Sequence, residues 1–397
     1  MFFLAALKFV NNSFLKDYSK IISLRITPKY FGHLSIEPAI LSSFCSREKT
    51  ILPIVSFKKG EGIKNTKLET IAKNSFNIKP DFLNKISEHI FNYSFENIRS
   101  KISNFYTPLL KKNSKTREMH YVHLLDTEKV FEWRENAKKI IFRKEDNKFK
   151  LIIALRTNHF SKNVKNVASQ PWRDASANDI IYITKVFSKI IDPKDIYLFS
   201  HPDNLDLINN KELKELNINF VDQSKIDILS IISSNSILVN NGNGIGAAAM
   251  AIGIKTLYIH HTLWHFWHTS HSNAVCLPSK FISLKFKQEN NLEKIVSLAF
   301  SPKCVVPFDF SKYYYPKGII NNNIQDIDEE ILIKTLKQIL SNKKNRFKEE
   351  FMGCSFEYEN KEEKEFWKIF IEKLPQELRE SHKLIKLNIS TSFLKSF

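Results

Sequence analysis

The second half of the chain alternates short apolar runs with longer stretches of mixed polarity. The apolar runs predict buried strands at 151–155, 196–200, 218–221, 237–239 and 256–259. The stretches between them carry apolar residues at helical spacing and include a short helix at 226–234, and further helices are expected at 292–299 and 357–374. Strands that alternate with helices in this way predict a doubly wound parallel sheet.

The first half predicts a smaller set of elements. Strands are expected at 21–26 and 50–57, a helix at about 34–44, and an amphipathic helix at 126–142. The stretch from 58 to about 113 is polar with a helical pattern. The charged run 143–148 is typical of a linker. The sequence therefore predicts an N-terminal helix, a first domain, a second domain and a region of C-terminal helices with a tail, at 1–19, 20–145, 150–325 and 326–397.

Glycine is scarce, yet four of the nine glycines fall between Gly242 and Gly253. They follow a predicted strand and open a small-residue helix. Glycines let backbone N–H groups approach a bound group, and the helix directs its positive end at the turn. The turn is therefore a candidate phosphate site. The alternative is an ordinary tight turn, because Gly-x-Gly-x-Gly matches neither a dinucleotide fingerprint nor a P-loop.

The composition limits the partners. Lys and Arg outnumber Asp and Glu by 60 to 42, a net charge of +18, which suits an anionic partner. The lysines are spread along the chain without an arginine-rich arm, which argues against nucleic acid. The four cysteines are far apart, and no apolar run approaches the ~20 residues of a membrane span. We expect a cytoplasmic location, with the helix at 1–19 either capping the first domain or touching an anionic membrane.

Two side chains near strand ends could carry chemistry. His33 follows the first strand, and histidine suits proton transfer near neutral pH. Arg156 ends the strand at 151–155, where its guanidinium could bind two phosphate oxygens. Arg173, in the next loop, is a second choice. The alternatives are a solvent-exposed histidine and surface salt bridges.

The segment 260–271 holds five of the twelve histidines. On a helix, His261, His265 and His268 would share a face, a spacing that can bind zinc. No carboxylate occurs in the segment, and it follows a strand at the ligand edge. A loop that stacks on sugar or base through Trp264, His265 and His268 is the favoured interpretation.

Four motifs together point to a family. They are Arg25-Ile26 with Phe31-Gly32-His33-Leu34 and Glu37, Leu155-Arg156 with Arg173-Asp174-Ala175-Ser176, the turn and helix from Asn240 to Gly253, and Ile389-Ser390-Thr391-Ser392-Phe393-Leu394. The chain resembles a family of GT-B type bacterial glycosyltransferases found with surface-polysaccharide genes.

The resemblance implies two Rossmann-like domains facing a cleft, with the C-terminal helix crossing back to the first domain. It places a nucleotide-sugar donor on the second domain and a glycan or lipid-linked acceptor on the first, with no cofactor and no metal. The implied donor-binding residues are Arg156, Arg173, Asn241, Gly242, Asn243, Gly244, Ile245 and Gly246.

The implied catalytic residues are His33 as base and Glu37 as its orienting partner or as the base itself. Family members tend to carry a hydroxyl residue before the glycine, where this chain has Asn241 and Asn243. Two alternatives therefore stay open. One is an epimerase or a metal-dependent hydrolase on the same scaffold, and the other is an inactive protein that binds nucleotide-sugars.

Overall fold

The structure is a computed structural model. It describes residues 20–26, 51–57, 66–76, 128–142, 147–157, 174–201, 204–261, 273–278, 281–283, 319–321, 324–341, 346–373, 384–385 and 388–396, together with Gly32, Leu34, Ser35, Pro38 and Ala39.

The first half contributes two strands and two helices. Strands β1 (Lys20–Ile26) and β2 (Ile51–Phe57) pair in parallel, and the helices are α1 (Thr66–Ser75) and α2 (Glu128–Ile141). The sequence predicts β1, β2 and α2. Helix α1 lies in the stretch from 58 to about 113, for which the sequence predicts a polar, helical pattern but no individual helix. The described residues between 32 and 39 have helical backbone, as expected for the segment after the first strand.

The second half forms the main sheet. Its elements are β3 (Lys150–Ile153), α3 (Ala177–Ser188), β4 (Ile196–Ser200), α4 (Leu205–Ile208), α5 (Lys211–Glu215), β5 (Asn219–Asp222), β6 (Ser236–Asn240), α6 (Gly244–Ile252), β7 (Thr256–His261) and β8 (Ala274–Pro278). All six strands are parallel, in the order β5-β4-β3-β6-β7-β8. The predicted parallel α/β sheet is confirmed.

The strand order reverses between β3 and β6. From β3 the chain moves outward to β4 and β5, and it then returns to place β6 on the other side of β3. In open α/β sheets, ligands bind beyond the carboxyl ends of the strands at such a reversal. The strands that meet there are buried along their whole length, because helices cover both faces of the sheet.

The C-terminal elements follow the sheet. They are β9 (Phe281–Ser283), β10 (Ile319–Asn321), α7 (Glu329–Leu340), β11 (Phe347–Phe351), β12 (Cys354–Tyr358), α8 (Lys361–Lys373), β13 (Leu384–Ile385) and α9 (Thr391–Leu394). Strands β11, β12 and β13 make a separate small sheet. Beyond the sheet edge, Ile389 bridges to Cys276 of β8.

The buried apolar side chains fall into two clusters, one on each face of the main sheet. One cluster joins α6 to residues of the first half, among them Ile26, Val55 and Ile71. The other joins α3 and α7 to the C-terminal segments. The first half thus packs directly on the helix that follows the glycine turn.

The C-terminal helix α8 differs from the expectation. Its buried side chains, including Phe366, Trp367 and Phe370, belong to the cluster formed with α3 and α7, whose members all come from the second half. The predicted crossing back to the first domain is therefore wrong for the described residues. The apolar stripe of α8 is covered by its own half of the chain.

Two predicted helices are also corrected. The stretch 226–234 forms only the 3-10 turn Ile228–Ser230, because Asp227 accepts from Leu229 N–H and closes the turn at once. The helix expected at 357–374 begins at Lys361, since residues 354–358 pair as a strand. The helices expected at 1–19 and 292–299 lie outside the described residues.

Candidate functional site

The candidate site lies where β3 and β6 end side by side. Beyond β3 the chain stays extended through Ala154 and Leu155 to Arg156, and the Ala154 N–H donates to the Val239 carbonyl at 3.0 Å. Beyond β6 comes the turn at 240–243, and then α6. The position predicted for Arg156, at the carboxyl end of a central strand, is confirmed.

Asn240 organises the turn from within, and its side chain is fully buried. Its Oδ1 accepts from Gly242 N–H at 2.8 Å and from Asn243 N–H at 3.1 Å. Its Nδ2 donates to the Ala154 carbonyl at 2.7 Å. One amide therefore closes the turn and fastens it to the neighbouring strand. Asn240 was not among the predicted site residues, although a polar residue that ends a buried strand is a recognisable signal.

Asn243 is the N-cap of α6. Its Oδ1 accepts from Ile245 N–H at 2.8 Å and Gly246 N–H at 3.2 Å. Its Nδ2 donates to the Ala154 carbonyl at 3.0 Å, beside the bond from Asn240. Asparagine is among the best N-cap residues because its oxygen satisfies the first N–H groups of a helix. Asparagine at this position thus provides the cap without a hydroxyl side chain.

Asn241 is tied to Arg156. Its Oδ1 accepts from the Arg156 N–H at 2.7 Å, and its Nδ2 donates to the Arg156 carbonyl at 3.1 Å. The amide takes the place of a neighbouring strand and extends the sheet by one residue. The side-chain amide of Asn241 therefore fixes the backbone of Arg156.

Arg156 is buried and forms an ion pair. Its Nε lies 2.7 Å from Oδ1 of Asp174, and each side chain is 7% exposed. The Arg156 carbonyl also accepts from Ala175 N–H at 2.8 Å. Asp174 leads into α3, where Ser176 and Asp179 form a capping box. Asp174 therefore holds the guanidinium, while Asn241 and Ala175 hold the backbone of Arg156. The salt bridge given above as the alternative for Arg156 is present, but it is buried and does not lie on the surface.

One N–H of the turn has no acceptor within the part of the chain that the structure describes. Four of the N–H groups from Gly242 to Gly246 donate to the asparagine oxygens described above. Only the Gly244 N–H has no acceptor among the described residues, and Gly244 is exposed. It sits at the first position of α6, where the positive end of the helix dipole is strongest.

Gly246 is required for close packing. A Cβ there would lie 2.3 Å from Oδ1 of Asn240 and 3.1 Å from Cε1 of Tyr258. The Tyr258 hydroxyl donates to the Gly246 carbonyl at 2.9 Å. Full burial raises the pKa of this tyrosine well above its usual value. Gly246 therefore lets the helix pack closely on the sheet, and its predicted contact with the donor stays a prediction.

Residues of the first half reach both ends of α6. A Cβ on Gly32 would lie 3.3 Å from the Gly244 Cα, so the two glycines are in close contact at the start of the helix. At its end, Arg134 of α2 donates to the Met250 carbonyl at 3.1 Å and the Ala251 carbonyl at 3.2 Å. There Gly253 adopts φ 77° and ends the helix.

Several predicted site residues lie outside the described residues. They are His33, Glu37, Arg173, Trp264, His265 and His268. Their roles stay predictions. Among the residues that the structure does describe, no group of three His, Cys, Asp or Glu could hold a metal ion. His201, half-buried after β4 at the same edge of the sheet, was not anticipated.

No family model matches the chain, and no curated protein matches it. Two solved structures resemble it weakly. A UDP-GlcNAc 2-epimerase from Neisseria meningitidis, bound to UDP-GlcNAc, is 13% identical over 80% of this chain and 100% of its own, with a TM-score of 0.28. MnaA from S. aureus with UDP is 12% identical over 81% of this chain and 97% of its own, with a TM-score of 0.26. At these TM-scores neither likeness decides fold or function.

None of the described helices is long and apolar enough to cross a membrane.

Proposed function

We propose that the chain binds a nucleotide-sugar at the end of β3 and β6 and transfers its sugar to a glycan or lipid-linked acceptor, as a GT-B-like glycosyltransferase. The observation that carries the proposal is the pairing of a buried arginine with an exposed helix start at the reversal of a parallel sheet. Both groups suit a diphosphate, and the place is where such sheets bind ligands.

The diphosphate would bind between Gly244 and Arg156. The Gly244 N–H donates to one phosphate oxygen, with the dipole of α6 behind it. The Arg156 guanidinium, held by Asp174, supplies a fixed positive charge for the other oxygens. As the glycosyl bond breaks, the leaving nucleoside diphosphate gains negative charge. Groups already fixed in place stabilise that charge without reorganising.

The acceptor would approach from the first half. The base takes the proton of the acceptor hydroxyl while its oxygen attacks the anomeric carbon, and His33, with Glu37, stays our candidate. The contact of Gly32 with Gly244 supports this proposal, since Gly32 precedes His33 in the chain. The first and second halves would form the two sides of the cleft. The net charge of +18 would suit work beside an anionic membrane on its cytoplasmic face.

Gly244→Pro tests the phosphate contact. Proline removes the N–H, yet it is well tolerated at the first position of a helix. The residue before it, Asn243, already has the extended backbone that proline demands, with ψ −174°. Nucleoside diphosphate affinity should fall by about 1.5–3 kcal/mol, the scale of a hydrogen bond to a charged group. Titration calorimetry measures the change.

Gly244→Ala is the matched control, because it adds a Cβ and keeps the N–H. It should bind more tightly than Gly244→Pro. Equal losses in the two variants would mean that crowding against Gly32 is responsible, and the N–H contact would be rejected. Unchanged affinity in both would reject the turn as a phosphate site.

Turnover distinguishes the alternatives. The full chain is incubated with a panel of nucleotide-sugars, with and without a mixture of glycan acceptors. Release of nucleoside diphosphate that depends on acceptor supports transfer. Conversion of the nucleotide-sugar without acceptor supports an epimerase, and binding without conversion supports an inactive binding protein.

A further inference from the structure

The small C-terminal sheet has an outer strand, β11, that pairs on one side only with the strands that the structure describes. Its strand order is β11-β12-β13, so β11 is an outer strand among the described residues. Its sequence is Phe-Lys-Glu-Glu-Phe, from Phe347 to Phe351. Lys348 and Glu350 are both exposed, and neither forms an ion pair with a described residue.

The hairpin fixes which backbone groups point outward. Met352 and Gly353 form a two-residue turn with φ of 49° and 80°, and Phe351 pairs with Cys354. The pair that closes such a turn exchanges both of its backbone hydrogen bonds. The same holds at every second residue, so Phe347, Glu349 and Phe351 bond to β12. The N–H and carbonyl groups of Lys348 and Glu350 therefore face away from the sheet.

This edge is complementary to itself. If a second β11 lies antiparallel, centred on Glu349, then Lys348 of each copy lies opposite Glu350 of the other. The outward N–H and carbonyl groups of these two residues then bond directly. Phe347 of each copy lies opposite Phe351 of the other, and Phe347 is 60% exposed in the single chain. Opposite charges and aromatic pairs across strands both stabilise a sheet.

We propose that β11 is an interface with a second copy of this chain, paired antiparallel about Glu349 into a continuous six-stranded sheet. The partner is a second copy because charge, hydrogen bonding and aromatic contacts all match under one two-fold axis. Such an interface is self-complementary by symmetry.

The two Glu349 carboxylates, which face each other at the axis, are the one unfavourable pair. Each lies 2.6 Å from Nζ of Lys364 and 3.4 Å from Nζ of Lys368 in its own chain. The hydrogen bond from Lys364 lowers the pKa of Glu349, so the carboxylate stays ionised. The two lysines of the same chain balance its negative charge. Helix α8, which carries both lysines, packs over β12.

Charged edge strands more often prevent pairing. The distinguishing feature is the order of the charges. A strand with lysines at both positions would repel its own copy, whereas one lysine and one glutamate attract it in the antiparallel register. The contact is shorter than a standard interface, so the dimer should be weak.

Charge exchange tests the register. Sedimentation velocity on the full chain, from micromolar to millimolar, should show a concentration-dependent dimer. Glu350→Lys places lysine opposite lysine twice and should raise the dissociation constant about tenfold or more. Within its own hairpin Glu350 lies opposite Ser355, so the substitution leaves the fold undisturbed. Lys348→Glu should raise the dissociation constant in the same way, because it places glutamate opposite glutamate twice. It should also lower the stability of the hairpin slightly, since Glu357 lies opposite position 348.

The mixture is the decisive measurement. Glu350→Lys mixed with Lys348→Glu should associate again, because each offers the charge that the other lacks. The double variant, Lys348→Glu with Glu350→Lys, should dimerise like the unchanged chain. A chain that stays monomeric up to millimolar overturns the proposal. So does a dimer that the single variants leave unchanged, since it must use another surface.

Discussion

The two faces of the main sheet are held together by different polar contacts. On the face that carries α6 and the first half, buried or half-buried cations donate to backbone carbonyls. Arg134 donates to the end of α6, Lys67 to Leu229 at 2.9 Å, and Lys150 to Ile231 at 3.0 Å. On the other face, hydroxyl and amide side chains supply the polar contacts. Thr335 bonds with Ser390 and Ser392, and Tyr182 donates to Ile327.

The difference changes how the net charge of +18 is interpreted. A basic composition suggests an anionic partner, but some of these cationic side chains are buried and bind backbone carbonyls within the fold. Arg134 is 5% exposed and Lys150 is 7% exposed. Cations suit helix ends because the carbonyls there carry partial negative charge. Lysine and arginine thus join the two halves as well as serving any ligand.

The largest effect is expected at Arg134. Arg134→Ala removes the side-chain donor to the Met250 and Ala251 carbonyls and opens space beside Gly253, where an added Cβ would lie 3.2 Å from the arginine Cδ. We expect the free energy of unfolding to fall by about 3 kcal/mol, the sum of a charged hydrogen bond and lost packing. Urea denaturation measures it.

Arg134→Lys keeps the positive charge but not the planar guanidinium that donates to two carbonyls. It should therefore lose less stability than Arg134→Ala. If Arg134→Ala unfolds at the same urea concentration as the unchanged chain, then cations do not join the halves and the contrast between the faces fails.

A smaller effect is expected on the hydroxyl face. Thr335→Val keeps the shape and removes one hydroxyl, which also donates to the Ile331 carbonyl at 2.7 Å. Ser390 and Ser392 still bond with each other. The loss should be about 1–1.5 kcal/mol by thermal or urea unfolding. A loss as large as that of Arg134→Ala would show that the hydroxyl cluster matters equally.

The smallest effect is expected at Glu363, the charged exception on the hydroxyl face. It is 1% exposed in its side chain, and Arg346 donates to it at 3.0 Å. Burial raises its pKa above the usual 4.5, against the opposing effect of Arg346. The folded state therefore holds the proton more tightly than the unfolded state. The stability from this group is full below the usual pKa and is lost as pH rises through the folded value.

Glu363→Gln is always neutral and removes that dependence. Relative to the unchanged chain, it should gain stability as pH rises from 4 to 7, by about 1 kcal/mol or less. Unfolding curves at the two pH values measure the difference. A relative loss at pH 7 would show that the ion pair with Arg346 outweighs burial.

The main sheet could be predicted from sequence because its strands are short, apolar and bounded by turn residues. The run at 237–239 and the helix stopped by Gly253 needed nothing from the rest of the chain. The end of the chain was harder. Phe366 and Trp367 form an apolar stripe that predicts burial, but no local pattern says which half of the chain covers it.

The candidate site was predicted in place but not in detail. Glycine spacing located the turn, and the strand end located Arg156. The side chains of Asn240, Asn241 and Asn243 each bond to the backbone of Ala154 or Arg156. These partners lie more than eighty residues earlier in the chain. Hydrogen bonds of that span have no signature in a local pattern. Local spacing therefore cannot tell which N–H groups of a turn are already used.

The bridge between Ile389 and Cys276 has a consequence for synthesis of the chain. Asn388 donates to the Ala274 carbonyl from 114 residues further along. At ~5–20 residues per second, a ribosome needs roughly 6–23 seconds to make that stretch. For that time the outer edge of β8 lacks the segment at 388–390, which bonds to it among the described residues. A chaperone that shields strand edges would find its substrate in that interval.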